Sequence, residues 1–567
     1  MSPINKSWAT RAAIAGVCRA DESEVVAGLA TELQRRPYER AAVARSASDL
    51  VLAVRKERRG SAGLDSLMQE FALTSQEGVA LLCLAEALLR IPDAGTTDRL
   101  IRDKLARGDW QAHLGHSPSL FVNAAAWGLM VTGRLASTVS ASKLGNALSR
   151  ALVKGGEPLV RRMLAFGVEL LGERFVMGED IDAALARSRE SSRHGYVHSF
   201  DMLGEAALTS ADARRYFEAY AAAIDAVGQA AGGVGVHAGP GVSVKLSALH
   251  PRYCRSQRDR VLDELLSSLA ELARRARHCS IGLSIDAEES DRLELSLDLL
   301  EALLELPELA DWAGLGFVVQ AYQKRAPQVV DHLVALARGS GRRLMVRLVK
   351  GAYWDGEIKR AQVEGVSDYP VFTRKVHTDL SYLVCAARVL ECADAVYPQF
   401  ATHNAHTVAA VAALARDRGV LDYEFQCLHG MGEALYDQVS ALSSLRHRVR
   451  IYAPVGSHRT LLPYLVRRLL ENGANTSFVH RLVDDGVALD DLIADPLERI
   501  ATTAGKPHPQ VPLPAALFGV ERVNSRGEDL ADEATLDRLA GYLAAARGHG
   551  WSCRPRIAES SVDEGAR

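Results

Sequence analysis

The chain has 567 residues, 48% hydrophobic and 24% charged, which is too long for one compact core, so two or three domains are expected. Its 67 Lys and Arg nearly balance 70 Asp and Glu, so no broad field steers it onto a polyanion and no nucleic-acid partner is expected. Eight cysteines are scattered without a CxxC pair, which excludes zinc-type spacing and reads as reduced thiols in a cytoplasmic compartment.

The opening residues lack the basic-then-apolar build of a signal peptide, and apolar stretches such as Gly78 to Leu89 are interrupted by Glu86 before reaching spanning length. Peripheral membrane contact stays open. Residues 1–190 carry helical periodicity punctuated by Pro92, Pro118 and Pro158. They divide into a helical arm over 1–85, suited to dimerisation, and a helical domain over 86–190.

From about residue 196 the pattern changes to short β-rich runs, each followed by a longer amphipathic stretch. The runs are HSFDML (198–203), VSVKLS (242–247), IGLSIDAE (281–288), GFVVQAY (316–322), LMVRLVKG (344–351), VYPQFATH (396–403), YEFQCLHG (423–430) and VRIYAPVG (449–456). Eight such units predict an α/β fold, a (β/α)8 barrel over 191–480 with its chemistry at the C-terminal strand ends. An open doubly wound sheet is the alternative, weakened because no GxGxxG follows an early strand. A helical extension over 481–545 and a disordered tail over 546–567 complete the expected organisation.

The strand ends carry the candidate chemistry. Lys245 alternates with Val242, Val244 and Leu246, so it points into the barrel or its mouth; it reads as half of a structural ion pair, a cation for an anionic substrate, or a Schiff-base amine. Asp286 shares a face with Gly282 and Ser284 and reaches the same end, so an Asp286–Lys245 pair follows, while Glu288 and Glu289 lie past the strand, where such residues cap the next helix. Arg347 and Lys350 have opposite parity; Arg347 is the interior candidate, and Gly351 ends the strand and lets Lys350 swing round. Tyr353 and Trp354 are either barrel-top packing or a stacking surface for a planar cofactor.

In the sixth run Thr402, His403 and Asn404 suit the polar edges of a ligand, with a satisfied loop as the bland alternative. His403 and His406 are too few for a metal site. After the eighth run, Thr460 and Pro463 start a helix that Gly473 closes. Tyr464, Arg467, Arg468 and Glu471 fall on one face of it, so the two arginines form either a carboxylate clamp or a solvated face.

The strings VSVKLSALHPRY, IDAEESDRLE, VRLVKGAYWDGEIKRAQ, FATHNAHT, FQCLHGMGE, RIYAPVGSH and LVRRLLENGANTSF together resemble the proline dehydrogenase module of the bifunctional proline utilisation A (PutA) flavoenzymes, densely from about 195 to 480. The resemblance implies noncovalent FAD, oxidation of L-proline to Δ1-pyrroline-5-carboxylate by hydride transfer from C5 to flavin N5, and reoxidation by a quinone at the inner membrane. It assigns Lys245, Arg467 and Arg468 to the proline carboxylate, Asp286 to their support, Tyr452 and Tyr464 to the substrate ring, and Glu205 to a gate with Arg468. It assigns Arg347 to the flavin near N5. Gln320, Lys350, Gly351, Ala352, Trp354, Thr402, His403 and Asn404 are further FAD contacts, and Thr373, Arg374, Lys375, Glu471, Ser477 and Phe478 reach the remainder of the cofactor. Bifunctional members continue into an aldehyde dehydrogenase module, which is not read in these residues. Some begin with a ribbon-helix-helix repressor domain, but residues 1–50 hold 7 Lys/Arg against 6 Asp/Glu and no leading strand, so DNA binding is not expected; a homodimer through the arm is.

Two other readings compete. A class I aldolase would use Lys245 or Lys350 as a Schiff base and need no flavin, and a non-enzymatic ligand-binding barrel would need the cations to be structural.

Overall fold

The computed structural model describes residues 3–58, 175–442, 447–457 and 486–550, with 96, 445, 481–482, 556–557 and 560–561 besides. Among these residues eight parallel strands close into a barrel: β1 (Tyr196–Met202), β2 (Gly241–Val244), β3 (Gly282–Ile285), β4 (Leu315–Gln320), β5 (Leu344–Val349), β6 (Val396–Ala401), β7 (Glu424–Leu428) and β8 (Arg448–Val455). Closure is made by β1, whose Ser199 stands opposite Gly241 of β2 on one side and Tyr452 of β8 on the other. Every residue of β2, β3 and β4 is buried, because helices cover the outside and side chains fill the inside, as parallel sheets require.

The connecting helices show why each run is followed by an amphipathic stretch. In the helix Arg258–His278 the buried residues Val261, Leu265, Leu269, Leu272 and Ala276 recur every three or four positions and face the barrel. The helix Ser210–Ala231 starts on a reciprocal capping box between Thr209 and Asp212 and stops at Gly232 in the left-handed conformation.

The interior divides into two ends. At the N-terminal end Glu424, with no exposed surface, accepts from Arg450 Nε at 2.6 Å, Gln426 Nε2 at 2.8 Å, Gln399 Nε2 at 2.9 Å and Tyr397 Oη at 3.2 Å. This satisfied network plugs the floor. At the other end, inward residues of β1, β2, β5 and β8 meet at the mouth.

The N-terminal helices wrap the same chain's barrel. Helix α1 (Pro3–Val17) packs on the helix Ala326–Ser340, α2 (Glu22–Gln34) on Lys375–Glu391, and α3 (Arg40–Arg58) on Ala405–Asp417. Apolar side chains such as Val26, Leu29, Leu33, Ala47 and Leu50 join the main core, and Thr10 Oγ1 lies 2.8 Å from His332 Nδ1. The arm's apolar face is thus spent on its own barrel. Of the expected helical domain over 86–190, all but its last residues and position 96 lies outside the described residues. The helix Ile181–Arg193 packs on β1, and Gly178 pairs with Val455 of β8. Towards the C-terminus a helix spans Glu533–Ala546, and within the stretch read as a disordered tail Arg556–Ile557 pairs with Ser560–Ser561.

Candidate active site

Lys245 follows β2 and is 6% exposed. Its Nζ lies 2.5 Å from Asp201 Oδ1, 3.4 Å from Tyr452 Oη and 3.6 Å from Asp286 Oδ2. Burial opposes its charge, but Asp201, Tyr452 and Asp286 more than offset that, and its pKa stands well above the ordinary lysine value. A Schiff-base nucleophile must be the neutral amine, so this setting disfavours the aldolase chemistry for Lys245. The sequence pattern pairs Lys245 with Asp286; the closer partner is Asp201, the last residue but one of β1 and without exposed surface.

Arg347 reaches across the barrel interior. It donates to Asp286 Oδ1 at 2.7 Å and to Ser243 Oγ at 2.8 Å, and its guanidinium lies 5.2 Å from the centre of the Tyr452 ring. Tyr452 donates to Asp286 Oδ2 at 2.7 Å; burial raises its hydroxyl well above the usual tyrosine range, so it stays a donor. Two carboxylates, two cations and one phenol therefore form a single buried circuit. Arg347 Nε has no hydrogen-bond partner among the described residues.

These groups line a cavity of about 200 Å³ at the C-terminal strand ends, together with Gln320, Lys350, Gly351, Ala352, Tyr353, Thr402, His403 and Gln426. Gln320 donates to Glu288 O at 2.8 Å and accepts from Ala352 N–H at 3.3 Å, tying β4 to the loop after β5. Gly351 has φ +134°, and a Cβ there would fall 2.4 Å from the Tyr322 ring, so only glycine fits. Lys350 swings away from Arg347 and pairs with Asp379 on the neighbouring helix. The wall also includes His403, whose Nε2 accepts from Leu428 N–H at 3.1 Å.

Other candidates stand behind this wall. Trp354 donates from its indole to Phe372 O at 2.8 Å and packs on the cluster around Tyr322 and Tyr369. Asn404 caps the helix Ala405–Asp417, accepting from Thr407 N–H at 2.9 Å. Thr373 accepts from His508 N–H at 2.7 Å and Arg374 donates to Lys506 O at 2.8 Å, while Lys375 is exposed. Glu205 is half-buried in the loop after β1. Glu288, expected to cap the following helix, instead accepts from Ser247 N–H at 3.0 Å and Arg292 at 2.8 Å. Tyr464, Arg467, Arg468, Glu471, Ser477 and Phe478 lie outside the described residues. Among the described residues no cluster of His, Cys, Asp and Glu is placed to hold a metal, and no helix is long and apolar enough to cross a membrane.

Sequence reasoning passed over Asp201. Its signal was available: Ser199 and Asp201 alternate with Phe200 as Ser243 and Lys245 do with Val244, the inward polar parity that singled out Lys245 and Asp286. No local pattern marks Gln426 as a lining residue or Asp379 as the partner of Lys350.

A family model described as proline dehydrogenase matches residues 184–481, the segment that builds this barrel and cavity. The chain belongs to the proline dehydrogenase family. Within that family it is 54% identical to the bifunctional protein PutA of Salmonella typhimurium, over 98% of this chain and 43% of the relative. Proline dehydrogenase 1 of Bacillus subtilis is 26% identical, over 56% of this chain and 91% of the relative. A crystal structure of bifunctional proline utilization A superposes with TM-score 0.74 at 45% identity, covering 96% of this chain and 54% of that one, and a Bradyrhizobium japonicum PutA mutant gives TM-score 0.72 at 46% identity, covering 93% and 53%. The chain thus spans about half the length of the PutA proteins it matches.

One expectation needs correction. A second family model, described as the DNA-binding domain of proline dehydrogenase, matches residues 63–175, so the absence of a nucleic-acid partner no longer stands for that segment. Overall charge and the composition of the first 50 residues, on which that expectation rested, do not describe residues 63–175. A balanced net charge excludes a broad electrostatic field but says nothing of a specific contact surface.

Proposed function

We propose that this chain oxidises L-proline to Δ1-pyrroline-5-carboxylate with a bound FAD, as the first step of proline catabolism. The reading is carried by the convergence of Lys245, Asp201, Asp286, Arg347 and Tyr452 on one cavity at the strand ends of a proline dehydrogenase-family barrel.

The residues present fit a flavin. Arg347 offers a fixed buried guanidinium with one N–H unspent, and Gln320, Thr402 and His403 offer polar contacts beside the glycine at 351 that lets backbone approach closely. Arg347, Gln320, Gly351, Ala352, Thr402 and His403 would hold the ring system; Lys350, Trp354 and Asn404 shape its wall, and Thr373, Arg374 and Lys375, with Glu471, Ser477 and Phe478, would reach the rest of FAD. When bound, the flavin would supply the acceptor for a hydride, which carries both electrons of the oxidation.

The chain's own residues bind and orient. Lys245, held as an ammonium by Asp201, attracts the proline carboxylate, with Arg467 and Arg468 completing a three-cation grip and Glu205 closing over it. Asp286 bridges Arg347 and Tyr452, so cofactor-side and substrate-side groups share one anchor. Tyr452 and Tyr464 flank the substrate ring. Fixing a small zwitterion by its carboxylate leaves C5 as the face presented for reaction. Electrons leaving the protein pass to a quinone at a membrane surface.

The test is an anaerobic absorbance spectrum of purified protein with and without proline. A yellow protein bleached by proline supports the reading. A colourless protein that borohydride traps on a carbonyl ligand would instead establish the aldolase, and a bound flavin indifferent to proline would leave only a binding barrel.

A further inference from the structure

The turn at residues 372–375 is gripped from outside the barrel by the N-terminal arm. Glu22, the first residue of α2, is 2% exposed, and its carboxylate accepts the Thr373 N–H on both oxygens, at 2.9 and 3.1 Å. Its Oε1 also lies 2.6 Å from Nδ1 of His377, which has no exposed surface. Just before it, Ala20 O accepts from the fully buried Lys324 at 2.8 Å, and Lys324 also pairs with Asp368 at 3.2 Å. The arm therefore inserts a polar wedge between the loop after β4 and the turn that opens the helix Lys375–Glu391.

A burial of this kind is not needed for attachment. Helix α2 already anchors through Val26, Leu29 and Leu33, all in the core. Taking a carboxylate out of water is costly unless each of its contacts is matched, and here the contacts are spent on one backbone N–H and one histidine of a single turn. That turn in turn supports the cavity wall: Phe372 N–H donates to Tyr322 O at 2.8 Å, Phe372 O accepts from Trp354, and the Tyr322 ring is the surface on which Gly351 closes. From the opposite side His508 and Lys506 hold Thr373 and Arg374.

We propose that Glu22 is a positioning residue for the dinucleotide cofactor: from the N-terminal arm it locks the Thr373–Lys375 turn into the conformation that receives the part of FAD beyond the isoalloxazine ring. This rests on the flavin reading above. The arm is then part of the cofactor site through backbone geometry, although none of its described residues lines the cavity.

The experiment compares wild type, Glu22→Ala, Glu22→Gln and Leu33→Ala after flavin removal, measuring the Kd for FAD by fluorescence titration, the Tm with and without FAD, and proline KM and kcat at saturating FAD. Leu33→Ala opens the apolar contact of the same helix without touching the turn. Glu22→Ala is expected to weaken FAD at least tenfold and to shrink the FAD-induced rise in Tm, with proline KM within twofold of wild type. Glu22→Gln keeps an acceptor for Thr373 and should lose three- to fivefold, which preserves the test if the alanine variant does not fold. Leu33→Ala should lower the Tm of the flavin-free protein as much or more, with its FAD Kd within twofold of wild type. An unchanged Kd in both Glu22 variants, or an equal loss in Leu33→Ala, overturns the positioning role while leaving the flavin reading intact. Failure of wild type to take up FAD overturns both.

Discussion

Asp201→Asn tests the buried circuit directly, because it removes the nearest counter-charge of Lys245. Both side chains of the pair are at or below 7% exposure, so water cannot replace the lost partner. Asp286 remains 3.6 Å from Nζ but is shared with Arg347 at 2.7 Å. By inverse distance alone it supplies roughly 0.7 of the attraction that Asp201 gave. Breaking a buried pair costs about 3–5 kcal/mol when the survivor is stranded, and this partial compensation places the expected loss near ~3 kcal/mol. Removing both charges in Asp201→Asn with Lys245→Met should recover most of it, since a buried pair is often no better than an apolar substitute. Urea unfolding of the two single variants and the double variant gives the coupling energy, expected at about 2 kcal/mol or more. Proline KM should rise steeply in both variants that lack Lys245, because in the double variant stability returns but the cation does not. A coupling energy below about 0.5 kcal/mol would show that the pair behaves as an exposed one and refute the buried-circuit argument.

Glu424→Gln should destabilise the fold by about 3–5 kcal/mol by stranding Arg450 at the barrel floor, while activity per folded molecule falls by less than in variants of the cavity cations, since Glu424 reaches the cavity only through Gln426; Tm and active-site titration check the two halves. His198 is held neutral, its pKa pushed down to about 4 by burial, then by Arg450 and His429. Between pH 6.5 and 4 the unfolded chain binds a proton that the native state refuses, so stability is lost as pH falls through that window, by roughly 3 kcal/mol at most; His198→Asn should flatten this part of a Tm-versus-pH curve, and an unchanged slope would contradict it. Gly351→Ala combines a positive φ with a clash on Tyr322 and should cost about 2–5 kcal/mol, together with lower flavin occupancy by absorbance ratio; full occupancy at wild-type Tm would mean that the loop yields freely.

The eight β-rich runs were readable because a strand buried on both faces must be apolar over a short length and must be followed by a helix of one-sided periodicity. Each run overlaps its strand. Parity along β2, β3 and β5 placed Lys245, Asp286 and Arg347 inside the barrel for the same reason. It could not rank partners: Asp201 and Lys245 are 44 positions apart, and only the β1–β2 register, with Asp201 opposite Ser243, brings them within 2.5 Å. Lys350, Trp354 and Asn404 are the converse. Each sits in a motif at the rim, yet Lys350 turns to Asp379, Trp354 spends its N–H on Phe372, and Asn404 caps a helix, and these choices depend on neighbours that no local pattern names.

The amino-acid order by itself determined the class of fold and which strand residues point inward, since both follow from periodicities of two and about 3.6 along the backbone. Tertiary structure decided which charges neutralise one another, how far the arm enters the cofactor side of the rim, and why Glu22 is buried, since ion pairing and desolvation depend on distances between residues far apart in the chain.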